Sequence, residues 1–346
     1  MTHINTYTPE LIPQIKQFQT IIQENSSFLL VGHTKPDGDC LGSLLALGHW
    51  IEKIGGKEVH YTASRSHAPS MNWVWWSEKV QYFTDHESFK LPEVQVVILL
   101  DHCATNQRSD IQIILSDYIK NKITVCIDHH INTPVPVNCS MVDASSSSAC
   151  EWLWEILNYL DPEGIDKQIA TRCFLGLTTD TGGSVGLEYE KDSVRSFENA
   201  LGMLKAGADK KSIIQKLNEV TPSQLEYAKK MFGSIHFTKN CLWVVVEWKD
   251  IEELGLDTEQ AGLAFGLMKK IVGKDVIAKF THQDNKRYGS LRTATDIDVQ
   301  QIAASFGGGG HVKAAGFRLE ADYSLKDIEA IMLQIEQKVE LQKKSS

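Results

Sequence analysis

The segment VCIDHHINT, residues 125–133, joins an apolar run to a cluster of polar side chains. The run at 125–127 has the character of a buried strand, and Asp128, His129 and His130 follow it at once. A carboxylate and two imidazoles are costly to place at the end of a buried strand unless they are paired or bind a metal. The segment is therefore a candidate metal site.

Strand-like and helix-like segments alternate on both sides of this stretch. This alternation predicts an α/β fold with a mainly parallel sheet and helices on both faces. Sheets of this kind have their active sites beyond the carboxyl ends of the strands. The predicted strands are 28–32, 58–62, 94–101 and 123–128, and the predicted helices are 9–24, 41–55, 109–120, 146–160 and 165–179.

The pattern changes towards the C-terminus. Residues 192–234 are mostly helical and polar, which predicts a connector between a domain at 1–191 and a smaller α+β domain at 235–346. The elements predicted for the smaller domain are a hairpin at 235–248, helices at 259–272, near 298–306 and at 325–343, and strands at 275–282, 287–293 and 314–319.

Composition narrows the class of protein. The 346 residues are enough for two domains, and 42% hydrophobic with 23% charged residues is ordinary for a soluble globular protein. No apolar run reaches the ~18 residues of a membrane span, the N-terminus does not have the pattern of a signal peptide, and the seven cysteines are scattered without a CxxC pair. We therefore expect a cytoplasmic protein with reduced thiols and no membrane partner. A homodimer is compatible with the sequence.

The net charge of −9 bears on the choice of ligand. It weighs against binding along a long nucleic acid, which depends on a basic surface that releases counterions. A short anionic ligand, held by a metal site and a few arginines, is compatible with it.

Further acidic groups follow other predicted strands and helices. His33, Asp37 and Asp39 lie after the first strand in LLVGHTKPDGDCLGS, Asp101 ends the strand VVILLD, and Asp180 ends an apolar helix in GLTTDTGGS. Carboxylates that converge on one edge of a sheet repel one another and have raised pKa values unless cations neutralise them.

Carboxylate oxygens with imidazoles suit a divalent cation such as Mn²⁺ better than a thiolate-bound zinc. In the HxxxDxD spacing, His33 and Asp37 can reach one cation while Asp39 reaches a second. Two cations ~3.5–4 Å apart can activate water and stabilise in-line attack on phosphorus. Taken singly, an aspartate such as Asp101 is more often a helix or turn cap, but together the groups predict two divalent ions, Mn²⁺ being favoured.

The segment SFGGGGHVKAAGF, residues 305–317, is a second candidate site. Consecutive glycines let the backbone approach a ligand with its amide groups pointed at an anion. Arg292 in GSLRT offers a planar guanidinium for a phosphate. A flexible turn and a surface arginine are the structural alternatives. The predicted substrate-binding residues are Arg292, Gly308, Gly309, Gly310, His311 and Arg108.

The motifs GHTKPDGDCLGS, LLD, IDHH and TTDTGGS resemble the four motifs of the DHH phosphoesterase superfamily. The segment GSLRTATDIDVQQIAASFGGGGHVKAAGFRL, residues 289–319, resembles the DHHA1 domain that follows in one branch. The resemblance is greatest to the NrnA-like branch, whose members act as nano-RNases and as phosphatases on 3′-phosphoadenosine 5′-phosphate (pAp).

The resemblance implies a role for each matching residue. His130 would sit beside the substrate phosphate as an electrostatic partner or proton donor, with Asp128 orienting the imidazoles from behind. A pocket around the glycine run would face the cations across a cleft. One cation would be held by His33, Asp37 and Asp101, and the other by Asp39, Asp101, His129 and Asp180.

The sequence thus predicts a two-metal phosphoesterase that hydrolyses very short RNA oligonucleotides to mononucleotides, with pAp as a possible second substrate. Four alternatives stay open from the sequence: a phosphodiesterase for a cyclic dinucleotide or its linear product, a RecJ-like single-strand DNA exonuclease, an inorganic pyrophosphatase, and a catalytically silent nucleotide sensor.

Overall fold

The structure is a computed structural model whose chain divides into two compact units, residues 1–219 and 220–346. The residues it describes are 8–34, 36–63, 71–75, 77–82, 90–102, 117–130, 136–182, 193–256, 258–268, 271, 273–283, 286–319 and 323–345.

The first unit is built on a six-stranded sheet in the order β3-β2-β1-β4-β5-β6, with every pairing parallel. The order reverses between β1 and β4, and the crevice beyond the carboxyl ends of such strands is where ligands bind in sheets of this order. The strands are β1 (Ser27–Val31), β2 (Glu58–Ala63), β3 (Val80–Tyr82), β4 (Val96–Leu100), β5 (Ile123–Asp128) and β6 (Cys139–Val142).

Helices of the first unit cover one face of this sheet. Alternate strand residues such as Phe28 and Leu30 contribute to a large core there, together with Trp152 and Phe174 from the helices. The neighbouring residues of β1 and β4 point to the opposite face, which packs against Tyr118, Ile119 and Val137. The helices are α1 (Ile12–Glu24), α2 (Gly38–Ile54), α3 (Ala149–Leu160), α4 (Lys167–Asp180), α5 (Ser193–Lys205) and α6 (Lys210–Leu217).

The second unit contains a mixed sheet in the order β11-β12-β10-β9-β8-β7, in which only β8 and β9 pair in parallel within the described part. Its elements are α7 (Pro222–Gly233), β7 (His236–Phe237), β8 (Cys241–Glu247), α8 (Trp248–Glu253), α9 (Thr258–Met268), β9 (Val276–Gln283), β10 (Lys286–Arg292), α10 (Val299–Ala304), β11 (Gly309–His311), β12 (Ala314–Leu319) and α11 (Leu325–Ser345).

The two faces of this mixed sheet are covered unequally. On one face Phe280, Leu291 and Phe317 pack against α10 and α11. On the other face residues of β8 and β9 pack against α7 and α9. The second face is open over β10, β12 and β11, where Tyr288, Arg318 and His311 are exposed. These exposed side chains make this face of the second unit accessible.

The α/β fold with a smaller mixed-sheet unit is confirmed. The sequence missed β3, β6 and α8, and it predicted a loop where β11 runs through the glycine segment. Residues 109–116 of the predicted helix 109–120 lie outside the described residues. The predicted connector at 192–234 contains α5 to α7, and the division between units falls after α6. The domain limits 1–191, 192–234 and 235–346 stay a prediction. Within the described ranges no helix has the length and apolarity to cross a membrane.

Candidate metal centre

The turn between β1 and α2 presents the first group of candidate ligands. Asp37 is the N-cap of α2, and its Oδ1 accepts hydrogen bonds from the backbone N–H of Asp39 and Cys40 at 3.2 and 3.1 Å. An aspartate is among the preferred capping residues because it satisfies orphan amides of the first turn. The cap explains why α2 begins at Gly38, three residues before the predicted start, and it fixes Asp37 3.6 Å from His33 Nε2.

Asp39 is fully buried and points away from this cap, towards the start of α3. Its Oδ2 accepts from the backbone N–H of Ala149 at 2.6 Å, and its Oδ1 accepts from that of Cys150 at 2.8 Å. The partial positive charge of a helix N-terminus favours a carboxylate at this position. Asp39 is thereby held in one orientation.

Asp101 lies directly after β4, with a left-handed backbone of φ 59°. A non-glycine residue in this region is uncommon and often marks a functional position. Its Oδ2 lies 3.1 Å from His33 Nε2, and its Oδ1 lies 3.5 Å from His129 Nε2. Asp101 is therefore placed between the two histidines.

His129 follows β5 and faces three carboxylates. Its Nε2 lies 3.7 Å from Asp39 Oδ2, 3.5 Å from Asp101 Oδ1 and 3.3 Å from Asp180 Oδ2. Asp180 is the last residue of α4, as expected from its position after an apolar helix. The His129 imidazole thus lies beside carboxylates from the first turn of α2, from the residue after β4 and from the end of α4.

His130 is turned differently from His129. Its Nδ1 lies 2.8 Å from Asp128 Oδ1, which also accepts from the backbone N–H of His129 and His130. Asp128 is fully buried, whereas the His130 side chain is about one-third exposed. Asp128 thus orients the His130 ring, while the His129 ring is directed by the Ser146 carbonyl, 3.4 Å from its Nδ1.

These residues are suited to a divalent cation. His33 Nδ1 lies 3.0 Å from the Thr34 carbonyl, which can only accept, so Nδ1 carries a proton and Nε2 faces the carboxylates. This is the usual arrangement of a metal-ligating histidine. Buried Asp101 Oδ1 accepts no hydrogen bond from the described residues. The ligand atoms lie within 4.8 Å of one another in three groups: His33 with Cys40 and Asp101, Asp101 with His129 and His130, and Asp39 with His129 and Asp180.

The pKa values of the metal-free cluster are consistent with a cation site. Burial, together with the negative charge of Asp101, raises the pKa of Asp39 to about 7. Burial opposes the ionisation of Asp101, but the nearby imidazoles of His129 and His33 outweigh it and hold the pKa of Asp101 well below its usual range. Burial raises the pKa of the Cys40 thiol, which keeps it neutral. A divalent cation would favour the ionised form of Asp39.

The second unit brings two of the predicted substrate residues, Arg292 and His311, onto one sheet face. Arg292 and His311 both pair with Ala314, on either side of β12, so their side chains point to the same face across about 10 Å. A groove of about 560 Å³ on this sheet is lined by Tyr288, Gly289, Ser290, Gly307, Gly308, Gly316, Phe317 and Arg318. Arg108, the remaining predicted substrate residue, lies outside the described residues.

The glycines at 308–310 have different reasons to be glycine. A Cβ at Gly308 would lie 2.1 Å from the Gly316 carbonyl, and one at Gly310, where φ is 139°, would lie 2.6 Å from the Ala314 carbonyl. A Cβ at Gly309 would meet nothing within 4 Å and would point to the face of His311. Gly308 and Gly310 are required by the pairing of β11 with β12, whereas Gly309 leaves its backbone open to a ligand.

Comparison with known proteins identifies both units. Residues 27–177 match the DHH family, N-terminal domain, and residues 240–340 match the DHHA1 domain. The chain belongs to the DHH/DHHA1 phosphoesterase superfamily. The His/Asp clusters of its DHH domain are consistent with the divalent metals typical of that family.

Relatives of this DHH/DHHA1 protein extend over nearly its whole length. Proteins named bifunctional oligoribonuclease and PAP phosphatase NrnA are 24% identical to it, over 92% of this chain and 94% of the relative in Mycoplasma genitalium and over 93% and 97% in Bacillus subtilis. The crystal structure of an exopolyphosphatase-related protein from Bacteroides fragilis superimposes with a TM-score of 0.82 at 20% identity, covering 95% of this chain and 98% of that one. This likeness shows a shared fold.

Sequence reasoning missed several residues around both candidate sites. In the DHHA1 domain, Lys279 pairs with Ser290 on the face of Arg292, and Tyr288 pairs with Arg318 on the same face. The alternation in KRYGSLR, residues 286–292, contains this signal, since every second residue of a strand shares a face. In the DHH domain the loop at 143–148 was not singled out, although its Ser146 carbonyl directs His129.

Proposed function

We propose that this protein is a two-metal phosphoesterase that hydrolyses very short RNA oligonucleotides to mononucleotides and takes pAp as a second substrate, releasing AMP. The observation that carries the proposal is the position of Asp101 between His33 and His129, at the reversal of strand order in a DHH domain. The names of the full-length relatives support the choice of substrates.

The ligands divide into two sets that share Asp101. His33, Asp37 and Asp101 would hold one Mn²⁺, and Asp39, Asp101, His129 and Asp180 would hold the other. When bound, the two ions would supply an activated water and neutralise the charge that develops on phosphorus. The amides of Ala149 and Cys150 hold the Asp39 carboxylate, which keeps this ligand in place during turnover.

His130 would act on the substrate phosphate rather than on the ions. Asp128 Oδ1 accepts a hydrogen bond from His130 Nδ1, which fixes the ring and leaves Nε2 as the atom that can meet a phosphate oxygen. From there His130 would stabilise negative charge or donate a proton to the leaving oxygen.

The DHHA1 domain would recognise the rest of the nucleotide. Arg292 and Lys279 bring two positive charges to one sheet face, and burial together with the charge of Arg292 lowers the pKa of Lys279. With His311 and the open backbone of Gly309 they form a surface for a phosphate group. A binding surface of a few residues suits a short oligonucleotide, and the net charge of −9 disfavours a long one.

A turnover panel in Mn²⁺ tests the proposal. The substrates are an RNA dinucleotide, a 5-mer, a 20-mer, pAp and a cyclic dinucleotide, and the variants Asp101→Ala and Arg292→Ala are run beside the wild type. We expect fast cleavage of the dinucleotide and 5-mer, loss of activity in Asp101→Ala, and a raised KM in Arg292→Ala. Turnover of the cyclic dinucleotide alone would refute the substrate class, and wild-type protein that binds Mn²⁺ without hydrolysing any substrate would refute the enzyme.

A further inference from the structure

A buried charged cluster lies behind the metal centre and takes no part in the chemistry proposed above. Arg195 of α5 is 1% exposed, and its Nε and Nη2 donate to the two carboxylate oxygens of Glu155 at 2.8 and 2.7 Å. Its Nη2 also lies 2.7 Å from Asp143 Oδ2, and its Nη1 donates to Ser145 Oγ at 2.9 Å. Arg195 thus joins helix α3 to the loop at 143–148.

The charges of this cluster are not explained by stability alone. Replacing a buried ion pair by apolar residues of similar volume is often neutral or stabilising. A guanidinium, however, has five donors in a fixed plane and can hold several acceptors in one geometry. Arg195 holds Glu155, Asp143 and Ser145 in this way. The cluster is therefore suited to hold α3 and the loop in a fixed relative position.

Helix α5 makes further hydrogen bonds to the same loop and to the start of α3. Ser147 Oγ lies 2.8 Å from Ser196 Oγ, and Asn199 Nδ2 donates to Glu151 Oε1 at 3.2 Å. Glu151 Oε2 accepts from Ser146 Oγ at 3.0 Å and from the Ser147 backbone N–H at 2.6 Å. The loop at 143–148 is thus held by side-chain hydrogen bonds along most of its length.

This loop contacts one candidate metal ligand directly and leads into the residues that hold a second. The Ser146 carbonyl lies 3.4 Å from His129 Nδ1, which sets the direction of the His129 ring. The backbone N–H groups of Ala149 and Cys150, immediately after the loop, hold Asp39. A shift of the loop would therefore move a nitrogen ligand and an oxygen ligand together.

We propose that Arg195 is a positioning residue for the metal centre, which it controls by fixing the 143–148 loop that orients His129 and Asp39. The inference rests on the proposed two-metal function, because it requires cations at those ligands. Residues that orient metal ligands typically change metal affinity about 10–100-fold when they are altered.

The test measures Mn²⁺ affinity by titration calorimetry on the full-length protein, wild type against Arg195→Lys. Lysine keeps the charge but loses the planar fork. We expect Mn²⁺ to bind about 10–100-fold more weakly to Arg195→Lys. The matched control is Arg287→Lys in the second unit, where a buried arginine donates to Glu247 Oε1 at 3.0 Å. Its Mn²⁺ affinity should equal that of the wild type.

Thermal unfolding without metal, run on the same variants, separates positioning from a merely structural role. A structural role alone would lower the unfolding temperature of Arg195→Lys but leave its Mn²⁺ affinity below that temperature unchanged, and this result would overturn the inference. If Arg195→Lys does not fold, Ser145→Ala removes one acceptor of the Arg195 fork. A smaller loss of Mn²⁺ affinity is then expected, and an unchanged affinity would overturn the inference.

The result for the wild-type protein separates a failure of the proposed function from a failure of the proposed role of Arg195. Wild-type protein that binds no Mn²⁺ would overturn the proposed function and this inference together. Wild-type protein that binds Mn²⁺ and hydrolyses RNA dinucleotides, beside variants of unaltered affinity, would overturn the inference alone.

Discussion

Asp101 Oδ2 and His33 Nε2 lie 3.1 Å apart, although 68 positions separate the two residues in the chain. The sheet order explains this proximity, because β4, which ends one residue before Asp101, runs beside β1, which ends two residues before His33. On its other side β4 pairs with β5, which leads to His129. Asp101 therefore lies between the two histidines as a direct result of strand order.

The cap of α2 allows metal binding and helix stability to be separated. Asparagine caps a helix about as well as aspartate, whereas alanine costs about 1 kcal/mol. We expect Asp37→Asn and Asp37→Ala both to bind Mn²⁺ more weakly, since each removes a charged ligand 3.6 Å from His33. Chemical denaturation without metal should show a loss of about 1 kcal/mol for Asp37→Ala only. Asp37→Asn protein with wild-type Mn²⁺ affinity would exclude Asp37 as a ligand.

The raised pKa of Asp39 predicts a pH-dependent affinity for the cation. Its pKa of about 7 means that the metal-free protein holds a proton on Asp39 at pH 6 and has lost most of it at pH 8. Mn²⁺ must displace that proton. Calorimetry in buffers of different ionisation enthalpy should show about one more proton released at pH 6 than at pH 8. Equal release at the two pH values would contradict the prediction.

The raised pKa of Asp39 makes the metal-free protein less stable as pH rises, which is the opposite of the usual effect of a buried acidic group with a lowered pKa. Because folding raises the pKa of Asp39, its contribution to the stability of the metal-free protein is fully present below the unfolded value of 3.8 and is lost as pH rises towards 7. Bound Mn²⁺ should offset this loss. The increase in unfolding temperature caused by Mn²⁺ should therefore grow between pH 5.5 and pH 7.5, and a constant increase would argue against this role of Asp39.

The contact between Asp128 and His130 predicts a catalytic effect without a loss of fold. Asp128→Asn should lower kcat by about 10–100-fold, because the amide holds the His130 ring less firmly than the carboxylate does. The measurement is kcat for an RNA dinucleotide across pH 6 to 9. Glu247→Gln is the matched control, since Glu247 Oε2 pairs with His282 Nδ1 at 2.7 Å in the second unit. A kcat equal to that of the wild type would remove Asp128 from the mechanism.

The glycine segment gives a prediction with an internal control. Gly309→Ala should fold normally, because a Cβ there meets open space, but should raise KM for short RNA by obstructing the open backbone. Gly310→Ala should lower the unfolding temperature, because φ is 139° and the Cβ would meet the Ala314 carbonyl. Steady-state kinetics and thermal unfolding of both variants check this. Gly309→Ala protein with unchanged KM would show that the segment is structural throughout.

Local sequence patterns were sufficient to predict the candidate metal ligands but not the residues that hold those ligands in place. His33, Asp101 and Asp128–His130 each follow an apolar run, and a parallel sheet brings the ends of such runs together. The supports of these ligands come from distant residues with no local signal. Neither the Ser146 carbonyl beside His129 nor the Arg195 fork behind it can be read from spacing, because both depend on how α3 and α5 pack.

The candidate ligands of the two cations come from segments that extend from residue 33 to residue 180, so no short part of the unfolded chain contains the complete set. A cation that binds only the assembled set stabilises the folded state in proportion to the logarithm of its concentration, by about 2.7 kcal/mol at a hundred times Kd. The lifetime of this protein against proteases should then follow the supply of the divalent cation in its surroundings, and a shortage of the ion would reduce both the fraction of active protein and its abundance.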